Sequence, residues 1–193
     1  MPSFTLVAGP NGSGKTTLTR YGRESFQQLA VLDPDAIQQG LVSTSSEGVS
    51  AIDAGRAVLK LADEFLERRE SFILETTLSG NTHLRMAKRA QAAGFTFVFV
   101  YVGTDSVEIN LNRVRQRVLK GGHDVPEEDQ RRRYPRSMDN MRVAFNFTDR
   151  AMLFDNSTPA GHRKVATKRS QRVTLFEPLP VWAEFLRDVP ADA

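Results

Sequence analysis

Cysteine is absent from all 193 residues, which excludes disulfides, thiolate nucleophiles and cysteine-ligated metals. Histidine is scarce too: His83, His123 and His162 are scattered, a poor basis for a zinc site. No apolar run approaches the roughly 20 residues that would span a bilayer. The first residues read as a strand rather than a signal peptide, so a cytoplasmic protein without a membrane partner is expected. Neither sign of charge dominates: 26 basic against 23 acidic residues leave a net +3. Repeats and low-complexity tracts are missing as well, and 40% hydrophobic content is ordinary for a globular chain. One domain over 1–193 is expected, large enough for a core without staples.

The basic residues are unevenly placed. Arg113, Arg115, Arg117, Lys120, Arg131, Arg132, Arg133 and Arg136 crowd one segment, and a second basic stretch runs from His162 to Arg172. Such runs serve nucleic acids, anions or solvated faces. The second stretch lacks the interleaved aromatics on which bases stack, which argues against a nucleic-acid partner. A small polyanionic ligand accounts for the first.

What is present, and complete, is Gly9-Pro10-Asn11-Gly12-Ser13-Gly14-Lys15-Thr16-Thr17. It follows the apolar run Phe4–Ala8 and opens a helix-compatible stretch, the strand–loop–helix context that a P-loop requires. Gly9, Gly12 and Gly14 let the backbone of Asn11 and Ser13 turn its N–H groups toward phosphate oxygens. Lys15 would reach the β- and γ-phosphates, and the Thr16 hydroxyl would ligate Mg²⁺. The motif predicts binding of ATP (or GTP) with Mg²⁺.

Apolar runs alternate with amphipathic stretches, the pattern of a parallel sheet covered by helices. Strands are expected at 4–8, 30–32, 72–74, 96–102 and 151–154. Helices are expected at 15–25, 52–69, 82–93, 107–120 and 127–147, and residues 40–50 read as a loop. Two short alternating runs, 164–167 and 172–176, suggest a C-terminal hairpin turning near Ser170-Gln171. A turn or two of helix follows over 181–187. The expected fold is α/β: a mainly parallel five-stranded sheet flanked by helices, with an Arg-rich helical lid at about 113–136 and the hairpin.

Ligands of such sheets sit beyond the carboxyl ends of the strands. Asp35, after Asp33-Pro34, reads either as a base for an acceptor hydroxyl or as a helix N-cap. Glu75, directly after Phe72-Ile73-Leu74, stands where P-loop proteins hold the Mg²⁺ shell or a substrate hydroxyl; its other reading is a cap on the next helix. Gly121-Gly122 interrupts the Arg-rich stretch as a lid hinge would, bringing arginines over transferring phosphate. His123 at the hinge reads as structural. Asn156 reads as a hydrogen-bond partner for the base or as an Asx-turn.

Together the P-loop, Asp33-Pro34-Asp35, Glu75-Thr76-Thr77-Leu78-Ser79-Gly80, Gly121-Gly122-His123-Asp124-Val125-Pro126 and Asp155-Asn156-Ser157 resemble the zeta-toxin family of P-loop kinases. The resemblance implies phosphorylation of UDP-N-acetylglucosamine at the 3′-hydroxyl of its amino sugar. It makes Asp35 the general base, puts Lys15 and Thr16 on phosphate and Mg²⁺, and sets Glu75, Thr77 and Arg56 against the substrate. It makes Arg117 and one of Arg132 or Arg133 the lid arginines, with Arg133 taken here, and implies a possible antitoxin partner. Two other readings stand beside it: a kinase of the same fold for another metabolite, antibiotic or nucleoside, and, in a different class, a nucleotide-dependent binding or switch module that hydrolyses nucleotide slowly.

Overall fold

The computed structural model describes residues 1–21, 29–34 and 51–189. Strand β1 (Ser3–Ala8) is buried on both faces, so it reads as a continuous apolar run rather than an alternation. Phe4, Leu6 and Ala8 join the larger core and Val7 a smaller one on the opposite face. Helix α1 (Lys15–Tyr21) follows the P-loop, and β2 (Ala30–Leu32) comes next. Helix α2 (Ala51–Glu67), β3 (Phe72–Thr76), α3 (Thr82–Ala92) and β4 (Thr96–Gly103) continue the alternation. Helices α4 (Val107–Leu119) and α5 (Glu127–Phe147) flank Gly121-Gly122 and lead to β5 (Arg150–Asp155). Strands β6 (Arg163–Arg169) and β7 (Arg172–Leu175) and a 3₁₀ helix, Val181–Asp188, complete the described chain.

Among the described residues the sheet has seven strands in the order β2-β3-β1-β4-β5-β6-β7. The first five in chain order are parallel, as expected. The C-terminal hairpin turns where expected but is not a separate appendage: it extends the same sheet, antiparallel, with Arg150 opposite Arg169 and Met152 opposite Thr167. Chain length explains this. A parallel crossover needs a dozen or more residues, and the link 156–162 is too short, so the chain must return antiparallel.

Aromatic rings knit the larger core. Phe4 stacks on Phe72 and Phe97 with centroids 4.8 and 5.8 Å apart, Phe65 of α2 lies 5.4 Å from Phe72, and Phe147 of α5 lies 5.4 Å from Phe97. Leu18 of α1 packs on the opposite face against the cluster of Val7, Ile73 and Val100. The end of α3 shows how the strands are aimed. Gly94 N–H bonds to Gln91 O at 2.9 Å and Phe95 N–H to Ala90 O at 3.0 Å, a paired closure that satisfies the last carbonyls and delivers buried Phe95 to β4.

β1 lies at the centre of the parallel strands, between β3 and β4, so the P-loop emerges where the connections diverge to either side. The predicted end of the first helix at Ser25, the 40–50 loop and Asp35 lie outside the described residues. None of the described helices is long and apolar enough to cross a membrane.

Candidate functional site

The P-loop is locked to its neighbours through backbone. Gly9 N–H bonds to Thr76 O at the end of β3, and Ser13 N–H closes a turn onto Pro10 O, both at 3.2 Å. Gly12 has φ +75°, and a Cβ there would stand 2.6 Å from Asn110 O of α4, so only glycine fits. Lys15 Nζ donates to Gly9 O at 2.8 Å and Pro10 O at 3.1 Å, which arches its side chain over the loop. Asn11 Oδ1 and Ser13 Oγ are buried yet find no hydrogen-bond partner among the described residues. Two orphaned polar atoms in a glycine-built cradle fit a loop that folds around a polar ligand.

Glu75 supplies the site's acid. It is 4% exposed, and its carboxylate takes hydrogen bonds from Thr16 Oγ1 at 3.2 Å and Thr19 Oγ1 at 2.6 Å. Burial raises its pKa and the nearby Asp33 carboxylate adds to the rise; the Thr19 hydrogen bond opposes it, as do Lys15 and Thr16. Glu75 therefore does not cap the helix after β3. It sits at the start of α1, against the hydroxyl expected to ligate Mg²⁺. A hydroxyl and a carboxylate side by side suit a hard cation that takes few protein ligands and completes its shell with phosphate and water.

Thr77, just past β3, pairs with Ser79 through their hydroxyls at 3.1 Å. Arg56 lies on α2 with its guanidinium largely in solvent, 3.5 Å from Asp53. Asn156 does not close on its own loop. Its amide Nδ2 donates to Ser13 O at 2.7 Å, so it touches the P-loop backbone itself.

The arginines of α4 and α5 divide into two sets. Arg115 and Arg131 pair with Glu127, and Arg131 also with Glu108, while Arg132 and Arg133 share Asp129, Arg133 at 2.9 Å. Arg113 and Arg117 instead line an open cleft of about 480 Å³ with Asn112, Gln116, Lys120 and Gly122. Arg113 Nη1 and Arg117 Nε are buried there without a partner among the described residues, although Arg117 Nη2 donates to His123 O at 2.7 Å. Burial lowers the Arg113 pKa, and the nearby Asp155 carboxylate opposes that. His123 thus acts through its backbone carbonyl.

Sequence reading missed two of these residues. Arg113 stood undistinguished within an arginine run, and His162, counted only as part of a basic stretch, brings Nε2 to 3.1 Å from Gly14 O. No local signal marks a contact between residues so far apart in the chain.

A P-loop between a central parallel strand and its helix, with a buried strand-end carboxylate and an Arg-lined cleft beyond, defines a P-loop kinase fold. Residues 1–164 match the family model described as Zeta toxin, and the chain belongs to that family. A curated relative, an uncharacterized protein of Haemophilus influenzae, is 36% identical over 129 residues, 67% of this chain and 90% of its own length. Among solved structures, one from the PezAT chromosomal toxin-antitoxin system of Streptococcus pneumoniae has a TM-score of 0.63 at 19% identity, covering 86% of this chain and 72% of that one. The AvrRxo1-ORF1:AvrRxo1-ORF2 complex with ATP gives 0.61 at 17% identity, covering 98% of this chain and 63% of that one.

Proposed function

We propose that this protein is an ATP- and Mg²⁺-dependent kinase that transfers the γ-phosphate to a hydroxyl of a nucleotide sugar such as UDP-N-acetylglucosamine. The observation that carries the reading is Glu75 held between Thr16 and Thr19 at the first turn of α1, beside the Lys15-bearing loop. The neighbour solved with ATP supports ATP as donor, and the sugar-nucleotide acceptor is what the resemblance to zeta toxins implies.

Mg²⁺, held by Thr16 with Glu75 in its shell, would supply neutralisation of the polyphosphate charge. Lys15 would leave its carbonyl partners to span the β- and γ-phosphates. Asp35 would accept the proton of the acceptor hydroxyl as its oxygen bonds to the γ-phosphorus and the bond to the bridging oxygen breaks, releasing ADP. Arg117 would neutralise charge on the transferring group from the lid cleft, and Arg133 would join it by leaving Asp129. Thr77 and Arg56 would meet the acceptor. An antitoxin is a fitting protein partner, since the pneumococcal neighbour comes from a toxin-antitoxin system.

The test is mass spectrometry of a nucleotide-sugar panel incubated with protein, ATP and Mg²⁺. One added phosphate on UDP-N-acetylglucosamine, lost in Lys15→Ala and Asp35→Ala, is the expected result. ATP turnover with every sugar unmodified would overturn the acceptor and leave a different metabolite kinase or a slow nucleotide switch.

A further inference from the structure

Two side chains from the far end of the chain grip two consecutive carbonyls of the P-loop. Asn156, at the end of β5, donates through Nδ2 to Ser13 O at 2.7 Å. His162, just ahead of β6, places Nε2 3.1 Å from Gly14 O. A carbonyl can only accept, so Nε2 carries the hydrogen of that bond. Gly14 O also receives Leu18 N–H at 3.1 Å, the first helical bond of α1. The fit is close: Gly14 has φ +103°, and a Cβ there would lie 2.5 Å from Asn156 Nδ2 and 3.0 Å from His162 Nε2.

The consequence follows from peptide geometry. In a trans peptide the C=O of one residue and the N–H of the next point in opposite directions. Fixing Ser13 O toward Asn156 therefore turns Gly14 N–H away from it, and fixing Gly14 O toward His162 and Leu18 turns Lys15 N–H away as well. These are donors that a P-loop offers to phosphate, and their dipoles are worth most when they need no reorientation on binding.

We propose that Asn156 and His162 are positioning residues that hold the Ser13 and Gly14 peptides with their N–H groups facing the polyphosphate. The proposal rests on the reading of this loop as a nucleotide site. Asn156, read from the sequence as a partner of the base or as an Asx-turn, spends one of its two amide hydrogens on Ser13 O.

The braces are themselves anchored. Asn156 N–H bonds to Gly103 O at 3.0 Å, Ser157 Oγ accepts from Asp105 N–H at 3.0 Å, and Trp182 Nε1 donates to Asp155 Oδ1 at 3.1 Å. The 3₁₀ helix, beyond the part of the chain matched by the family model, thus supports the turn that carries Asn156.

The experiment is calorimetric titration of the full chain with ATP and, separately, with inorganic tripolyphosphate, which has no base. Asn156→Asp keeps the shape and swaps the donor for an acceptor facing Ser13 O, but its charge itself repels both polyanions; the uncharged His162→Phe, which keeps the ring and removes its hydrogen bond, therefore carries the comparison. Each should weaken both ligands by the same factor, about 10- to 100-fold, the scale of a lost hydrogen bond in a buried site. His162→Gln, which restores an amide donor, should recover to within about threefold of wild type, a fraction of one hydrogen bond. Unchanged affinities in Asn156→Asp and His162→Phe overturn the proposal, as does a loss confined to ATP, which would place these residues at the base. Should Asn156→Asp fail to fold, the Phe/Gln contrast at His162 decides alone. Failure of wild type to bind either ligand, or binding indifferent to Lys15→Ala, would instead overturn the nucleotide reading.

Discussion

Thr19 Oγ1 donates to Glu75 Oε1 at 2.6 Å, while Thr16 reaches the other oxygen of the same carboxylate at 3.2 Å. The two hydroxyls hold a buried acid at the mouth of the P-loop against the cost of its desolvation. That cost still wins, since the pKa of Glu75 is raised above its ordinary 4.5. A raised carboxylate pKa favours the folded state below the unfolded-state value, and that contribution is lost as pH rises. Glu75→Gln should therefore melt higher than wild type at neutral pH without ligand, with the gap closing as pH falls toward 4.5. On the proposed function the same variant should lose phosphoryl transfer by about 100-fold or more, since it removes the charge proposed to stand in the Mg²⁺ shell. Calorimetric melting across pH checks the first outcome and steady-state kinetics the second. A variant no more stable than wild type at neutral pH would show that the threonines fully compensate the burial.

His83 gives the fold a second pH response, of opposite sign. It is half-buried at the start of α3, and its Nδ1 lies 3.1 Å from Thr76 Oγ1, which itself accepts Leu78 N–H. Thr76 Oγ1 has one hydrogen and two lone pairs, so it can serve Nδ1 as donor or acceptor, and it is burial that favours the neutral ring. Burial pushes the His83 pKa down from 6.5 to about 4. Between those values the unfolded chain binds the proton and the folded one does not. Stability should thus be full above pH 6.5 and fall as pH drops toward 4, by ~3 kcal/mol from this group. His83→Asn keeps an acceptor near Nδ1 and cannot titrate. Urea unfolding of the two proteins across this range should show a steeper loss for wild type; parallel curves would mean that other groups carry the acid response.

The parallel sheet was legible because its strands are buried on both faces and stand out as short apolar runs between amphipathic helices. The P-loop was legible because its glycines, lysine and threonine are contiguous. Glu75 was visible as an acid at a strand end, but sequence alone left three uses open, and only the register of β3 against β1 sets it beside Thr16 and Thr19. The joining of the hairpin to the sheet was hidden because alternation says nothing of which edge a strand adds to. Arg113, His162 and the contact of Asn156 with Ser13 depend on long-range register, which no local spacing encodes.

The two sets of arginines on α4 and α5 should behave differently. Arg131 spends its guanidinium on exposed Glu108 and Glu127, a surface network of the kind that contributes little. Arg117 faces the cleft with Nε buried and unpaired among the described residues. Arg117→Ala should lower kcat/KM by about 100- to 1,000-fold, the effect of removing a donor from charge developing in a transition state. Arg131→Ala should stay within about threefold of wild type and change stability by less than about 1 kcal/mol. Equal losses in both would place the active arginines across both helices rather than in the cleft.

Trp182 ties the 3₁₀ helix to the turn that carries Asn156. Its indole is buried against Tyr101, with ring centroids 5.8 Å apart, and its Nε1 donates to Asp155, the residue before Asn156. Trp182→Ala removes both packing and hydrogen bond and should cost ~3–5 kcal/mol of stability. Trp182→Phe keeps most of the ring contact and should cost ~1–2 kcal/mol, mainly because Asp155 loses a donor. Phe leaves the backbone of the 155–157 turn anchored through Asn156 N–H on Gly103 O, so its KM for ATP should rise only a few-fold, on the scale of a fraction of one hydrogen bond. Urea unfolding and ATP kinetics on the two variants separate these contributions. If Trp182→Phe matched Trp182→Ala in both, the hydrogen bond to Asp155 rather than the packing of the indole would be what holds the end of the chain to the site.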